Sequence, residues 1–200
     1  MRKVFFDTET TGLSPGQIGQ LSVIVLGDDG QPVGKNYFFK VDYMSDGAAA
    51  VCNRDVGFYE QASNGEVFKD RASELVAVFK DATLIAHNLK FDENFLSTEF
   101  WRTGITFQPA DRFDTMAYFK DICKIPGKYG KYKNPKLEEL VDYFGINKEK
   151  VLQYTKQLFG NDDDIGFHDA RYDTTSMFVA FQVYGEKLRG TSDWAFVFCN

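Results

Sequence analysis

Cysteine is scarce in this sequence of 200 residues. Its three cysteines, Cys52, Cys123 and Cys199, are odd in number, lie far apart and never form a Cys-x-x-Cys pair. A disulfide framework usually needs an even set of cysteines, and thiolate zinc sites need closely spaced pairs. The sequence therefore argues against both and indicates a protein of a reducing compartment.

Long hydrophobic runs are lacking as well. No apolar run approaches the roughly 18 residues that a membrane span requires. The N-terminal segment reaches an acid at Asp7, before a signal-peptide core could form. Repeats and linkers are missing, while apolar residues make up 44% of the chain and aromatic residues 16%. We therefore expect a single domain over residues 1–200 in a soluble, cytoplasmic protein with no membrane partner.

Basic residues are outnumbered. The chain has 23 lysines and arginines against 29 acidic residues, which gives a formal net charge of −6. Proteins that coat nucleic acid without regard to sequence carry a broad basic face, which this composition does not supply. An acidic excess has another origin where carboxylates are gathered to hold cations, because a bound metal reverses the local charge.

Hydrophobic periodicity predicts an α/β domain that opens with strands and closes in helices. A turn at 28–32 joins the second and third strands into an antiparallel hairpin. The predicted strands are 2–7, 21–27, 35–43, 83–88 and the start of 110–116, which leads into a helix. The other predicted helices are 66–81, 91–102, 136–145, 149–159 and 170–188.

Two segments have weaker patterns. Residues 44–65 show no clear period, so we predict a loop with at most one short helix there. Asn134 and Pro135 stand before an apolar helical pattern, which predicts an N-cap followed by proline at the first helical position.

Four carboxylates stand where a buried strand ends or where an apolar helix face continues. In KVFFDTETTGL (3–13), Asp7 and Glu9 alternate and point to one side if the strand extends that far. Apolar residues follow Asp92 at +3, +4 and +8, and Asp173 at +4, +7 and +11, so both acids are in line with apolar stripes. A buried carboxylate is costly unless a cation accompanies it.

That cation is predicted to be a metal, because few basic residues lie near the four acids in sequence. Arg171 is a candidate partner for Asp173 alone. Oxygen ligands suit Mg²⁺ or Mn²⁺, and four carboxylates balance two divalent ions. The alternatives are a solvated turn for Asp7 and Glu9, and an N-cap role for Asp92.

Histidine is also scarce. The two histidines, His87 and His168, each stand five residues before an acid of this set, Asp92 and Asp173 respectively. Five residues on one helix separate two side chains by about 140°, so we expect His168 on the loop that enters the helix, reaching back over the acids. We favour a catalytic role for His168, whereas His87, at a strand end, has a structural alternative.

Three segments together resemble the motifs of the DEDD superfamily of exonucleases. They are FDTETTGL (6–13), HNLKFD (87–92) and HDARYD (168–173), in the family's order. The arrangement is similar to that of the His-containing subgroup, which includes the epsilon subunit of polymerase III and ribonuclease T. The resemblance implies a ribonuclease-H-like fold with a mixed central sheet, an N-terminal strand hairpin and flanking helices. It also implies 3′-to-5′ release of nucleoside monophosphates from single-stranded DNA or RNA with a free 3′ end.

The same resemblance implies roles for individual residues. Asp7, Glu9, Asp92 and Asp173 would hold two divalent cations, Mg²⁺ or Mn²⁺ as a substitute, and His168 would be the general base. The residues implied to hold the terminal nucleotide or line the site are Thr10, Thr11, Leu13, His87 and Phe91.

The chain departs from the polymerase-associated members in several places. Gln20 stands where many of them carry a glutamate, and residues 44–65 lack a His-Gly-Ile type segment. We expect no long C-terminal extension of the kind that tethers the epsilon subunit, although a DNA polymerase is a partner that the resemblance implies. The run of aspartates at 162–164 is predicted to be a solvated loop. A catalytically idle binding module on the same fold is the alternative to an enzyme.

One basic segment bears on the substrate. KIPGKYGKYKNPK (124–136) contains five lysines and two tyrosines and no acid. Single-stranded nucleic acid is bound by lysines at phosphates and by aromatic rings that stack on bases. We therefore predict that Lys128, Lys131 and Lys133 contact phosphates, with a solubilising loop as the alternative.

Overall fold

A mixed β-sheet forms the centre of the structure. The computed structural model describes residues 2–13, 16–28, 30–162, 164–166 and 168–199, with the exception of the side chains of 195 and 196. In these ranges the sheet has five strands: β1 (Lys3–Thr10), β2 (Ile18–Leu26), β3 (Pro32–Phe38), β4 (Thr83–Ala86) and β5 (Asp111–Asp114).

The spatial order of the strands is β3-β2-β1-β4-β5. β2 runs antiparallel to both β1 and β3, whereas β4 is parallel to β1 and β5 is parallel to β4. The carboxyl ends of β1, β4 and β5 therefore meet at one edge of the sheet. The predicted α/β fold with a mixed sheet and an N-terminal hairpin is confirmed.

Nine helices occur in the described ranges. They are α1 (Asp46–Cys52), α2 (Val56–Ala62), α3 (Phe68–Phe79), α4 (Leu89–Arg102), α5 (Thr115–Cys123), α6 (Leu137–Tyr143), α7 (Lys148–Phe159), α8 (Ala170–Arg189) and α9 (Asp193–Phe198). Within the same ranges, none of them combines the length and the apolar character that crossing a membrane requires.

Helices cover β1 on both faces. Val4 and Phe6 face a core that includes Leu75 of α3 and Phe100 of α4, whereas Phe5 packs on α8 through Phe178. Side chains alternate along a strand, so Asp7 and Glu9 share the face of Phe5, and Thr8 belongs to the opposite face. This alternation decides which helix each polar side chain meets.

The prediction for residues 44–65 is wrong, because two helices form there. The Ser45 side chain accepts a hydrogen bond from the Ala48 amide at the start of α1, and Asp55 accepts one from Phe58 at the start of α2. A helix of seven residues spans about two turns, which is too short to display a clear period. In this segment the capping residues, and not the spacing of apolar residues, indicate where the helices begin.

The predicted start of α6 is also wrong. Lys136, not Asn134, is the N-cap, and the Glu139 side chain accepts from the Lys136 amide at 2.8 Å. The carbonyl of Pro135 is bound by the ring of His87, so this segment is held outside the helix. α9 had not been predicted.

Candidate active site

Three of the four predicted metal ligands meet where β1 ends against α8. One carboxylate oxygen each from Asp7, Glu9 and Asp173 lies within 4.8 Å of the others. The contact of β1 with α8 sets this geometry, because the ring of Phe5 packs edge-on against Phe178 at 5.0 Å between centroids. Asp173 is the fourth residue of α8, so the helix does begin before it, as the spacing predicted.

Asp92 joins the cluster from the other face of the sheet. The amide and hydroxyl of Thr8 both donate to Asp92 Oδ1, at 3.1 and 2.6 Å. Asn88 is the N-cap of α4, so Asp92 is not the capping residue. Asp92 is only 3% exposed and adds its charge to that of Asp7, whose pKa it raises.

Burial and mutual repulsion raise the pKa values of the four carboxyl groups. Burial is the largest cause of the raised pKa of Asp7 and of Glu9, and the other acids of the cluster add to it. Burial likewise raises the pKa of Asp92 and of Asp173 to about 7. Asp92 is buried, whereas Asp7, Glu9 and Asp173 are partly exposed. Four acids that share one site can stay ionised at neutral pH if cations lie between them.

The donor set fits divalent cations of the Mg²⁺ type. All four candidate ligands are carboxylates, which are the oxygen ligands that Mg²⁺ and Mn²⁺ prefer. Arg54 lowers the pKa of Glu9 but does not reverse the effect of burial. The arrangement of Asp7, Asp92 and Asp173 is therefore more typical of a metal-binding site than of a salt bridge.

A cavity of about 420 Å³ opens beside Glu9. Thr10, Leu13 and Phe91 line it together with the first residues of α1, and Leu13 is 88% exposed. Thr11 does not line this cavity, because its side chain is fully buried and its hydroxyl accepts from the Gln17 amide at 2.9 Å. Of the predicted nucleotide contacts, Thr10, Leu13 and Phe91 therefore line the cavity, whereas Thr11 stabilises the loop that follows β1.

His87 is held by protein groups. Its Nδ1 lies 3.0 Å from the Thr115 hydroxyl and its Nε2 lies 3.0 Å from the Pro135 carbonyl oxygen. Burial lowers the pKa of His87, which favours the neutral ring, with Nε2 donating to the carbonyl. Both ring nitrogens are thus engaged, and this favours the structural alternative for His87 over a substrate contact.

His168 lies on the loop that enters α8, directly before the N-cap Asp169. Its side chain is exposed, and its φ of 59° belongs to the left-handed region that few non-glycine residues adopt. The residue borders a cavity of about 300 Å³ that is also lined by Arg54, Phe58 and Asp164. Its position on the loop that enters α8 agrees with the expectation, whereas the described residues that line this cavity include none of the four candidate metal ligands.

A buried ion-pair network next to His168 was missed by the sequence analysis. Asp169 accepts from Arg171 Nε at 2.9 Å and from a second nitrogen of the same guanidinium at 2.7 Å. Arg54 also donates to Asp169 and reaches Gln20 Oε1 at 2.6 Å. Gln20, which lies opposite Glu9 in the β1–β2 ladder, donates to Asp169 at 3.1 Å.

This network corrects two predictions. Arg171 pairs with Asp169 and with Asp162 rather than with Asp173. Asp162 accepts from Arg171 at 2.7 Å and is therefore more than part of a solvated loop, while residue 163 of that run lies outside the described residues. The sequence held one signal for the network, since Asp169 and Arg171 follow His168 within the third motif.

Replacing Arg54, one of the two arginines that pair with Asp169, is expected to destabilise the fold. Arg54→Met would remove one of the two positive charges that compensate the buried carboxylate of Asp169. Removing one partner of a buried ion pair typically lowers the free energy of unfolding by about 3–5 kcal/mol. Urea denaturation of the metal-free protein measures this change in the free energy of unfolding. Lys40→Met is the control, because it removes an exposed pair with Glu60 and should leave the unfolding midpoint unchanged. A loss below about 1 kcal/mol for Arg54→Met would show that the network is not stabilising.

Fold and site together define a class of protein: a ribonuclease-H-like domain with an acidic cluster at the carboxyl end of its central strand. The model of the exonuclease family RNase_T matches residues 4–176. The chain belongs to this exonuclease family.

Individual relatives support the same class. The chain is 30% identical over 143 residues to the epsilon subunit of DNA polymerase III from Rickettsia prowazekii, covering 61% of this chain and 56% of that protein. It is 27% identical over 133 residues to a PolC-type DNA polymerase III from Mycoplasmopsis pulmonis, covering 63% of this chain and 9% of the polymerase. The chain thus spans from less than a tenth to about half of these two relatives.

The fold is similar to that of a solved nuclease. The crystal structure of E. coli Exonuclease I in complex with a dT13 oligonucleotide superimposes with a TM-score of 0.70 at 17% sequence identity. The match covers 94% of this chain and 42% of the Exonuclease I chain. At this level of identity the likeness establishes the fold.

Proposed function

We propose that this chain is a 3′-to-5′ exonuclease of the His-containing DEDD subgroup that releases nucleoside monophosphates from single-stranded DNA or RNA. The observation that carries this proposal is the convergence of Asp7, Glu9 and Asp173 within 4.8 Å. Asp92 completes the set through its hydrogen bonds to Thr8. Such a cluster has little use in a module that only binds, because four acids gathered at one site repel one another and destabilise the fold unless cations compensate them.

The four carboxylates would hold two divalent cations, with Mg²⁺ as the expected ion and Mn²⁺ as a substitute. When bound, the two cations would activate a water molecule and stabilise the charge that develops on the phosphate oxygens. The task of the protein is to keep Asp7, Glu9, Asp92 and Asp173 ionised and correctly spaced. The β1–α8 contact and the two hydrogen bonds from Thr8 perform that task.

His168 is proposed as the general base. Neutral imidazole accepts a proton near neutral pH, which suits the removal of a proton from an attacking water molecule. His168 is exposed and stands five residues before Asp173, and we infer from this position that its ring reaches a substrate bound at the acidic cluster. The network below it, from Arg54 through Asp169, fixes the backbone of this loop at the N-cap of α8.

The cavity beside Glu9 is proposed to hold the 3′-terminal nucleotide. Its volume of about 420 Å³ falls in the usual range of small-molecule sites. Leu13 and Phe91 offer apolar surface to a base, and Thr10 lies at the same wall. The complex of Exonuclease I with a dT13 oligonucleotide supports a single-stranded substrate for this fold.

Two observations bear on the cellular context. The free cysteines Cys52, Cys123 and Cys199 agree with a cytoplasmic, reducing environment. The likeness to an epsilon subunit makes a DNA polymerase a candidate partner.

Two oligonucleotides of the same sequence, one labelled at the 5′ end and one at the 3′ end, test the proposal directly. With Mg²⁺ the 5′-labelled strand is expected to give a ladder of shortening products, and the 3′-labelled strand to release a labelled mononucleotide from the outset. EDTA should abolish both reactions, and Mg²⁺ or Mn²⁺ should restore them. The opposite polarity, or undiminished activity after metal removal, would contradict the mechanism. Matched DNA and RNA strands in the same assay reveal the preferred substrate.

A further inference from the structure

Residues 125–133 form a small two-stranded hairpin, here called the lysine hairpin. The Gly127 amide donates to the Lys131 carbonyl at 2.8 Å, and the Lys133 amide donates to the Ile125 carbonyl at 3.0 Å. The segment is therefore an ordered projection rather than an irregular loop.

An exposed aromatic ring stands at the tip of this hairpin. Tyr129 has φ 58° and ψ 33°, Gly130 has φ 71°, and the Lys131 amide donates to the Lys128 carbonyl at 3.3 Å. These values describe a type I′ turn, which favours Asn-Gly or Asp-Gly at its two central positions. Tyrosine is unfavourable there, and Tyr129 is 96% exposed, so no packing of the ring offsets the backbone strain. Because this backbone strain is not offset by packing of the side chain, it indicates that the Tyr129 side chain has a functional role.

Two lysines flank the ring. Lys128 and Lys131 are exposed, and in the part of the chain that the structure describes neither forms an ion pair with a carboxylate. Lys133, in contrast, pairs with Glu139 of α6. Glu139 therefore compensates part of the charge of Lys133, whose predicted phosphate contact stays a prediction, while the charges of Lys128 and Lys131 lie beside Tyr129.

The lysine hairpin is attached at the edge of the sheet that carries the acidic cluster. Pro135, just after the hairpin, accepts from the ring of His87, which follows the carboxyl end of β4. β4 runs parallel to β1, at whose carboxyl end Asp7 and Glu9 lie. Four residues of extended chain span roughly 13 Å, which is about the length of four stacked nucleotides at roughly 3.4 Å each.

We propose that the lysine hairpin binds single-stranded nucleic acid on the 5′ side of the nucleotide held at the acidic cluster. Tyr129 stacks on a base, while Lys128 and Lys131 contact the neighbouring phosphates. The proposal rests on the function proposed above for the direction of the strand. It gives a net acidic protein a local basic surface for an extended polyanion.

Replacing Tyr129 in two ways separates stacking from folding. Tyr129→Asn places the favoured Asn-Gly pair in the turn, so the thermal midpoint should stay equal or rise while the ring is lost. Its Kd for a fluorescent 20-nucleotide strand, measured by anisotropy in EDTA so that no hydrolysis occurs, should rise on the order of tenfold. Tyr129→Trp should keep the wild-type Kd, and Trp101→Ala, which removes an exposed ring on α4, is the control.

Length and salt supply two further readouts. The penalty of Tyr129→Asn in KM should fall as the strand is shortened towards a trinucleotide, because a strand that ends before the tip cannot contact the ring. The double variant Lys128→Gln and Lys131→Gln should lower the slope of log Kd against log salt by about 1.4, since each phosphate contact on a single strand contributes about 0.7. The double variant Lys69→Gln and Lys187→Gln removes the same charge from exposed helix positions and should leave the slope unchanged.

An unchanged Kd for Tyr129→Asn together with an unchanged salt slope would overturn the hairpin proposal and identify the segment as a solubilising element or a protein-binding one. An equal loss in Tyr129→Trp would exclude stacking. If the wild-type protein neither hydrolyses the trinucleotide with Mg²⁺ nor binds the longer strand, the proposed nuclease function itself has failed, and this outcome is distinct from the other two.

Discussion

Replacement of His168 by alanine is expected to lower kcat by about 10²–10⁴-fold, the usual contribution of a positioned general base. The residue lies on an exposed loop before α8, five positions ahead of Asp173. If it accepts the proton of the attacking water, kcat of the wild-type enzyme rises with pH along one ionisation, and this limb disappears in the variant. The measurement is kcat against pH for both proteins at saturating Mg²⁺.

The affinity for metal separates this role from that of a ligand. His168 is not a metal ligand in the proposed mechanism, so calorimetric titration with Mn²⁺ should give nearly the same Kd for the variant and the wild type. His87→Gln is the matched control, because it alters the other histidine of the chain. It should lower the thermal midpoint by weakening the bond to Pro135 and should keep the pH-dependent limb. Near-normal turnover of His168→Ala, or loss of its metal, would exclude the general-base role.

Asp7→Asn is expected to reduce hydrolysis by at least about 10³-fold and to stabilise the metal-free protein. The catalytic loss follows from weakened binding of cations that stabilise several kcal/mol of developing charge, at about 1.4 kcal/mol per factor of ten. The gain in stability has a separate cause, because burial and the charges of Asp92, Asp173 and Glu9 raise the pKa of Asp7. Asparagine keeps the size of the side chain and removes its charge.

The pH dependence of stability follows from the direction of these shifts. A carboxyl group whose folded-state pKa is raised binds more protons in the folded state than in the unfolded state. Its contribution is therefore most favourable below the unfolded value near 4 and is lost as the pH rises through the folded value, about 7 for Asp92 and Asp173. In EDTA, the thermal midpoint of the wild type should fall between pH 5 and 8, and Mg²⁺ should oppose this fall.

Asp7→Asn should flatten this decline and raise the midpoint at pH 8 in EDTA by at least about 2 °C, the shift that 1 kcal/mol produces in a chain of this size. Asp121→Asn, which alters an exposed carboxylate on α5, should change neither the midpoint nor its pH dependence. A lower midpoint for Asp7→Asn in EDTA would show that the acids are not a repelling cluster, and the argument for a cation site would lose its electrostatic basis.

Local patterns in the sequence determined most of the elements. The helices predicted at 149–159 and 170–188 agree with α7 and α8 to within one residue at each end. The hairpin of β2 and β3 was also predicted, although the ends of its strands differ by up to five residues from the predicted ones. The relation between Asp7 and Glu9 is of the same kind, because alternation along a strand is a property of the backbone alone. The placement of His168 before α8 likewise needed only the geometry of a helix start.

Two kinds of feature were not predicted from the sequence: helices shorter than two helical turns, and helix ends that are fixed by contacts with distant residues. α1 and α2 have seven residues each, so their apolar spacing carries little signal beside their capping side chains. The start of α6 depends on the bond between His87 and the Pro135 carbonyl, 48 residues away in sequence. A helix pattern contains no information about such a partner.

Only the tertiary structure decided which charges pair. Arg171 stands equally close in sequence to Asp169 and Asp173, yet its guanidinium turns to Asp169, and Arg54 reaches the same carboxylate from 115 residues away. The sequence determined that four acids and a histidine are present and which of them share a local face. Packing of β1 between α4 and α8 brought those faces together and placed carboxylate oxygens of Asp7, Glu9 and Asp173 within 4.8 Å of one another. Which charges interact depends on distance in space, not on distance in sequence.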